Sequence, residues 1–163
     1  MACDVTAVDD SDDMLSALPI KARGIRSSIE TLSTKPDFDI ALLASFIFNK
    51  PEKLHRKKLV DSVRRHLKID GKFLLQIHNE KILIDVDESR TTTVGEITSR
   101  ISDYVRTGNI VSMTVHYVVG NEEWTHSFQA QFLTLNEIAD ELIQAGFSEV
   151  DWADKVQGWV VAT

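Results

Sequence analysis

The run Phe38-Asp39-Ile40-Ala41-Leu42-Leu43-Ala44 constrains the fold more than any other segment. Its apolar residues are nearly continuous rather than alternating, which predicts a strand covered on both faces, as at the centre of a parallel sheet. Parallel neighbours require a crossover. The residues that follow supply one. Pro51 sits near the first turn of a predicted helix, where its missing N–H costs little. Leu59, Val60, Val63 and Leu67 then form an apolar stripe at helical spacing. Asp70-Gly71 reads as the stop of that helix and Phe73 to Ile77 as the next strand, completing a βαβ unit.

The opening has the same grammar. Val5, Ala7 and Val8 predict a short strand with Asp9 at its carboxyl end, and Ser11 predicts a helix cap with Asp12 and Asp13 in the first turn. In open α/β sheets, ligands bind beyond the carboxyl ends of the strands, where an acid commonly accepts hydrogen bonds from ribose hydroxyls. Ile20 to Ser27 reads as a further short strand. Between Gly95 and Leu133 the period drops to two, with turn signals at Gly108-Asn109 and Gly120-Asn121, predicting an antiparallel hairpin or three-stranded meander. Thr134 and Glu137 form a capping box ahead of a helix that stops at Gly146. Two last strands, Phe147 to Trp152 and Gly158 to Ala162, predict an antiparallel closing hairpin.

A chain of 163 residues fits one domain with a sizeable core. No apolar stretch approaches the ~18 residues of a membrane span, and none reads as a signal peptide. Cys3 is the only cysteine, which excludes an intramolecular disulfide and multi-cysteine metal sites and suits a cytoplasmic setting. The net charge of −7 argues against a nucleic-acid partner. Nine of the 18 basic residues lie between Lys50 and Lys72, and the apolar stripe beneath them assigns them to the solvated face of a helix. Asp9, Asp10, Asp12 and Asp13 do not suit one metal ion, because consecutive positions on a strand end and a helix start do not converge.

Together these segments resemble the class I S-adenosylmethionine-dependent methyltransferases. Val5-Thr6-Ala7-Val8-Asp9 is similar to that family's second strand, and Phe38 to Ser45 to its fourth. Val63 to Leu75 resembles its helix, "L-x-P-G-G"-type turn and fifth strand, and Leu142 to Val150 its "L-x-x-A-G-F" entry to the sixth. Trp124-Thr125-His126-Ser127-Phe128 is similar to a bacterial subgroup with a small antiparallel sheet inserted after the fifth strand. The resemblance implies a three-layer, Rossmann-like α/β fold, mostly parallel, with an antiparallel last strand. It places a β insertion at about residues 95–133 of a single domain, 1–163. It also implies S-adenosylmethionine as cofactor and a small-molecule methyl acceptor, without nucleic acid or membrane.

By the same resemblance, Asp9 would bind the ribose, Ser28 and Ile29 the adenine, and Ala44 with Ser45 the sulfonium side. His78, just past the fifth strand, is the candidate catalytic group, and Asn49, Trp124 and His126 are candidate acceptor contacts. Each has a plainer reading. His78 is equally a surface histidine at a strand exit, His126 a satisfied histidine under the small sheet, and Asn49 a cap for the helix near Pro51. The family's first strand and glycine-rich turn have no counterpart, since Gly24 is the first glycine. Three outcomes follow: the second and fourth strands pair directly, a partner chain or a preceding segment completes the sheet, or the chain alone is marginally folded and binds cofactor weakly, which is the expectation. Two other functions stay open: a non-catalytic remnant or subunit of the same fold, and a fragment of a dinucleotide-binding oxidoreductase. An antiparallel closing hairpin would favour the methyltransferase topology over the latter.

Overall fold

The computed structural model describes residues 3–35, 37–44, 46–78, 86 and 88–163. The elements in chain order are β1 (Val5–Asp9), α1 (Asp12–Ser16), β2 (Ala22–Arg26), β3 (Phe38–Leu43), a 3-10 turn (Ile47–Asn49), α2 (Lys53–His66) and β4 (Leu67–Gln76). They are followed by β5 (Thr91–Val94), β6 (Ile97–Thr107), β7 (Ile110–Val119), β8 (Glu122–Gln131), α3 (Leu135–Gln144), β9 (Val150–Asp154) and β10 (Trp159–Ala162). The strands form three sheets: β1-β2, β3-β4-β10-β9 and β5-β6-β7-β8.

Pairing is parallel in β1–β2 and β3–β4, and antiparallel where β10 inserts between β4 and β9. The expected antiparallel closing hairpin is thus present. The expectation of a mostly parallel sheet is not met, because the closing hairpin and the insertion are built from hairpins, which are antiparallel by construction.

Helices α2 and α3 supply Leu59, Val60, Ile138 and Leu142 to one core with Leu43, Phe73, Leu75 and Val160. These sheet residues share one face, since Leu43 pairs with Leu75 and Ala41 with Phe73. The opposite face of β3 is open: Ile40 is 58% and Leu42 64% exposed. The apolar run was read as covered on both faces, yet the described residues cover one. A continuous apolar pattern shows that a strand suits two covers, not that both come from the residues around it. β1 and β3 also each pair along a single edge among the described residues.

Asp70-Gly71 does not stop α2. The chain enters β4 directly at Leu67, which turns into the core. The β3–β4 ladder jumps from Phe38–Leu67 to Ile40–Lys72, so residues 68–71 bulge out of register. The insertion has four strands rather than three. β5 was illegible because Thr91–Val94 is exposed throughout and carries no alternation. Its hairpins turn on Gly95, Gly108 and Gly120, each near φ +60, while the second loop residues Glu96, Asn109 and Asn121 keep negative φ, the type II′ pattern. Val111, Met113, Ala130 and Phe132 form a second small core beneath this sheet. The capping box of α3 forms as expected, with Thr134 accepting from the Glu137 N–H and Glu137 accepting in return.

One of the nine clustered basic residues departs from the solvated reading. Arg56 is 3% exposed. Its Nε and Nη2 bind Glu141 of α3, with Nη2 to Oε1 at 2.6 Å. Its Nη1 reaches the carbonyls of Lys50 and Pro51 and the Gln131 side chain of β8, at 2.6, 3.1 and 3.1 Å. Breaking a buried pair strands a charge, at about 3–5 kcal/mol. Arg56→Ala and Glu141→Ala are each expected to lose about that much in chemical denaturation, and Arg56→Met/Glu141→Leu less than the sum of the two.

Candidate functional site

The carboxyl ends of β3 and β4 bring together Ala44, Phe46, Asn49 and His78. Gly158 fixes the exit of β4. Its φ of +73 and its approach to Ile77, whose carbonyl oxygen lies 2.2 Å from where a Cβ would stand, admit no side chain. The Ile77 N–H donates to the Gly158 carbonyl at 2.9 Å. The next residue, His78, donates its backbone N–H to Asn49 Oδ1 at 2.8 Å, and its ring stacks on Phe46 at 3.8 Å between centroids and 14° between planes.

Phe46 holds φ +59, in the left-handed region that a bulky residue occupies only under strain, at a cost of order 1–3 kcal/mol. His78 Nδ1 is buried and has no hydrogen-bond partner among the described residues. Burial pushes the imidazole pKa down to about 4, so the ring is neutral at pH 7. A neutral ring has one donor and one acceptor nitrogen, so with its proton on Nε2 the buried Nδ1 can accept from an arriving donor.

Asn49 is 1% exposed and both ends of its amide are engaged, Oδ1 with His78 and Nδ2 with the Gln131 carbonyl at 2.8 Å. It neither caps α2, whose cap is Glu52, nor presents a free group to an acceptor. Ala44 is half-buried just beyond β3. Ser45 lies outside the described residues.

At the ends of β1 and β2, Asp9 Oδ1 accepts the Ser11 N–H at 2.8 Å, and its second oxygen has no partner among the described residues. The Ser28 hydroxyl is paired with Thr31 at 2.7 Å. Ile29 packs on the main core, and its carbonyl accepts from Ser62. Trp124 and His126 sit farther off. Gln131 anchors the root of β8, and Trp124 stands seven residues up the strand, about 23 Å at ~3.3 Å per residue. Trp124 is 46% exposed and stacks on Tyr117. His126 stacks on Phe128 and lines an open groove of about 690 Å³ between the insertion and Lys50, Pro51 and Glu52. Trp124 does not line that groove.

Neither a protein-family model nor a curated protein matches the sequence. Solved structures do match the fold. An S-adenosylmethionine-dependent methyltransferase from Clostridium acetobutylicum superposes with a TM-score of 0.76 at 18% identity, over 98% of this chain and 74% of its own. The fold is that of the class I S-adenosylmethionine-dependent methyltransferases. The sugar N-methyltransferase KedS8 from a Streptoalloteichus species gives 0.75 at 14% identity, over 97% and 70%. CalS10, an amino pentose methyltransferase from Micromonospora echinaspora solved with S-adenosylmethionine bound, gives 0.72 at 20%, over 98% and 73%.

Phe46, and the double engagement of Asn49, were not anticipated. No sequence pattern signals a left-handed phenylalanine, and Asn49 looked like an ordinary helix cap. The neutral state of His78 has a measurable consequence. The unfolded chain protonates this ring near 6.5 and the folded chain near 4, so the unfolded state binds the extra proton between them. Stability is expected to fall as pH drops from about 6.5 to about 4. Urea unfolding of the wild type and His78→Gln across that window checks this: the wild type should lose stability relative to the variant toward acid, with the variant less sensitive.

Proposed function

We propose that this chain carries out S-adenosylmethionine-dependent methyl transfer to a small molecule bearing an amine or hydroxyl, with His78 facing the acceptor. The observation that carries the reading is the Nδ1 of His78 at the carboxyl end of β4, buried and without a partner among the described residues. The cofactor, when bound, supplies an activated methyl group, so the protein has to position the acceptor and help with its proton. With a pKa near 4, His78 is a weak base but a constant hydrogen-bond acceptor, suited to orienting an N–H or O–H. KedS8 and CalS10 are described as acting on sugars, which supports a small polar acceptor.

Asp9 fits the ribose role: one carboxylate oxygen holds the helix cap and the other is left for a hydroxyl. Ser28 and Ile29 line the adenine side, and Ala44 the sulfonium side. The groove that includes His126 admits the body of the acceptor, while Trp124 stands at its periphery. The soluble, cytoplasmic setting and the single domain, 1–163, belong to the same reading.

A second reading is favoured by one observation. Ile40 and Leu42 are exposed on a strand whose outer edge is also unpaired among the described residues. We infer that a further strand, from a preceding segment or a partner chain, lies between β1 and β3 with a second helical layer over Ile40 and Leu42. On this reading residues 1–163 form a binding subunit of the fold until completed. Calorimetry with S-adenosylhomocysteine separates the two. A micromolar Kd, about −8 kcal/mol, supports the enzyme, and no binding at millimolar ligand supports the subunit.

Where binding occurs, Asp9→Ala is expected to weaken it by roughly 1.5–3 kcal/mol, the range for a hydrogen bond to a charged group. Unchanged affinity removes Asp9 from the site. Leu42→Asp tests the cover. It should stay within about 0.5 kcal/mol of wild type on an open face and cost several times that on a covered one.

A further inference from the structure

We propose that Asn49 is a positioning residue that transmits the placement of the β5–β8 insertion to His78. The inference rests on the reading of His78 as the acceptor-facing group. Asn49 lies in the 3-10 turn after β3 and touches two segments far from it in sequence. Its Nδ2 donates to the carbonyl of Gln131, at the root of the insertion. Its Oδ1 accepts the N–H of His78, at the exit of β4. The amide is 1% exposed, so water cannot replace either bond without opening the junction.

The geometry allows little else. An amide is planar and its two ends are fixed relative to each other, so a shift of the Gln131 carbonyl moves the acceptor that holds His78. Asn49 holds the His78 backbone, and the His78 ring stacks on Phe46, whose left-handed backbone is itself part of the same turn. Gln131 is gripped a second time, through its side chain, by Arg56. That contact stiffens the junction but does not reach His78. The pair therefore offers a matched comparison: one bond that couples to His78 and one that only holds the root.

The test is NMR titration of the His78 imidazole in isotopically labelled chain, residues 1–163. In the wild type the ring should titrate near pH 4. In Asn49→Ala, and in Asn49→Ser, whose hydroxyl is too short to span both partners, the ring should loosen from its stack. Its proton affinity should then rise at least about tenfold toward the ordinary value. Gln131→Ala keeps the main-chain carbonyl that Asn49 holds, so it should lower the melting temperature while shifting the titration much less than the Asn49 variants do. An unmoved titration in a folded Asn49 variant overturns the proposal.

A wild-type measurement stands beside these in case neither variant folds. The His78 amide should exchange with solvent as slowly as the amides of the insertion root, and exchange at the rate of an exposed loop also overturns it. Failure of S-adenosylhomocysteine binding would remove the methyltransferase reading and leave the titration result standing.

Discussion

A single buried guanidinium organises the junction on which the candidate site depends. Arg56 cannot be deprotonated, so once α2 packs against the sheet its charge and donors have to be satisfied where they lie. Glu141 neutralises it and the carbonyls of Lys50 and Pro51 take part of the fork. The Gln131 side chain takes another donor. Four otherwise separate pieces, α2, α3, the loop after β3 and the root of the insertion, are thereby fixed to one another. An apolar contact of similar area would hold them together but would leave their relative register soft. Directional bonds from a rigid planar group do not.

Much of this fold was legible, for identifiable reasons. The capping box at Thr134 and Glu137 is a local motif that works wherever it occurs, and it formed. The glycine–asparagine pairs at 108–109 and 120–121 set hairpin turns through backbone conformation alone, and those turns formed too. Asp9 at a strand end and His78 past the next parallel pair follow from topology. What failed needed knowledge of partners. Arg56 is chemically indistinguishable from its eight solvated neighbours, and only the approach of Glu141 from 85 residues away makes it a core residue. Asp70-Gly71 is a good turn pair, yet burial of Leu67 pulled the chain into strand before the turn could act. Trp124 and His126 share a strand face, but only His126 lines the groove, which alternation cannot reveal.

The open face of β3 is a physical problem of a different kind. An apolar edge strand with an exposed apolar face is a template for association, and proteins ordinarily blunt such edges with charge, proline or a cover. Ile40 and Leu42 do none of this. The structures this chain resembles are longer, and the chain spans about 74% of the first of them. An apolar strand, an unpaired edge beside it and a larger parent fold agree with one another. All three are in keeping with the cover proposed above for β3.

That cover bears on chemistry through rigidity rather than contact. The exit of β4 is already restrained from three directions: Gly158 holds Ile77, Asn49 holds the His78 backbone, and Phe46 holds its ring. What remains of His78 is one buried nitrogen with no partner among the described residues. Such a group is unfavourable in a resting protein, and the strained φ at Phe46 adds to the cost. Both are sustained only if the surrounding structure leaves the ring no lower-energy position. A nitrogen so held needs no reorganisation when a donor arrives, because its desolvation has already occurred during folding. On the proposed reading, the scaffold holds this nitrogen in place for a donor. How well it does so depends on how firmly β3, the flanking strand of β4, is itself held.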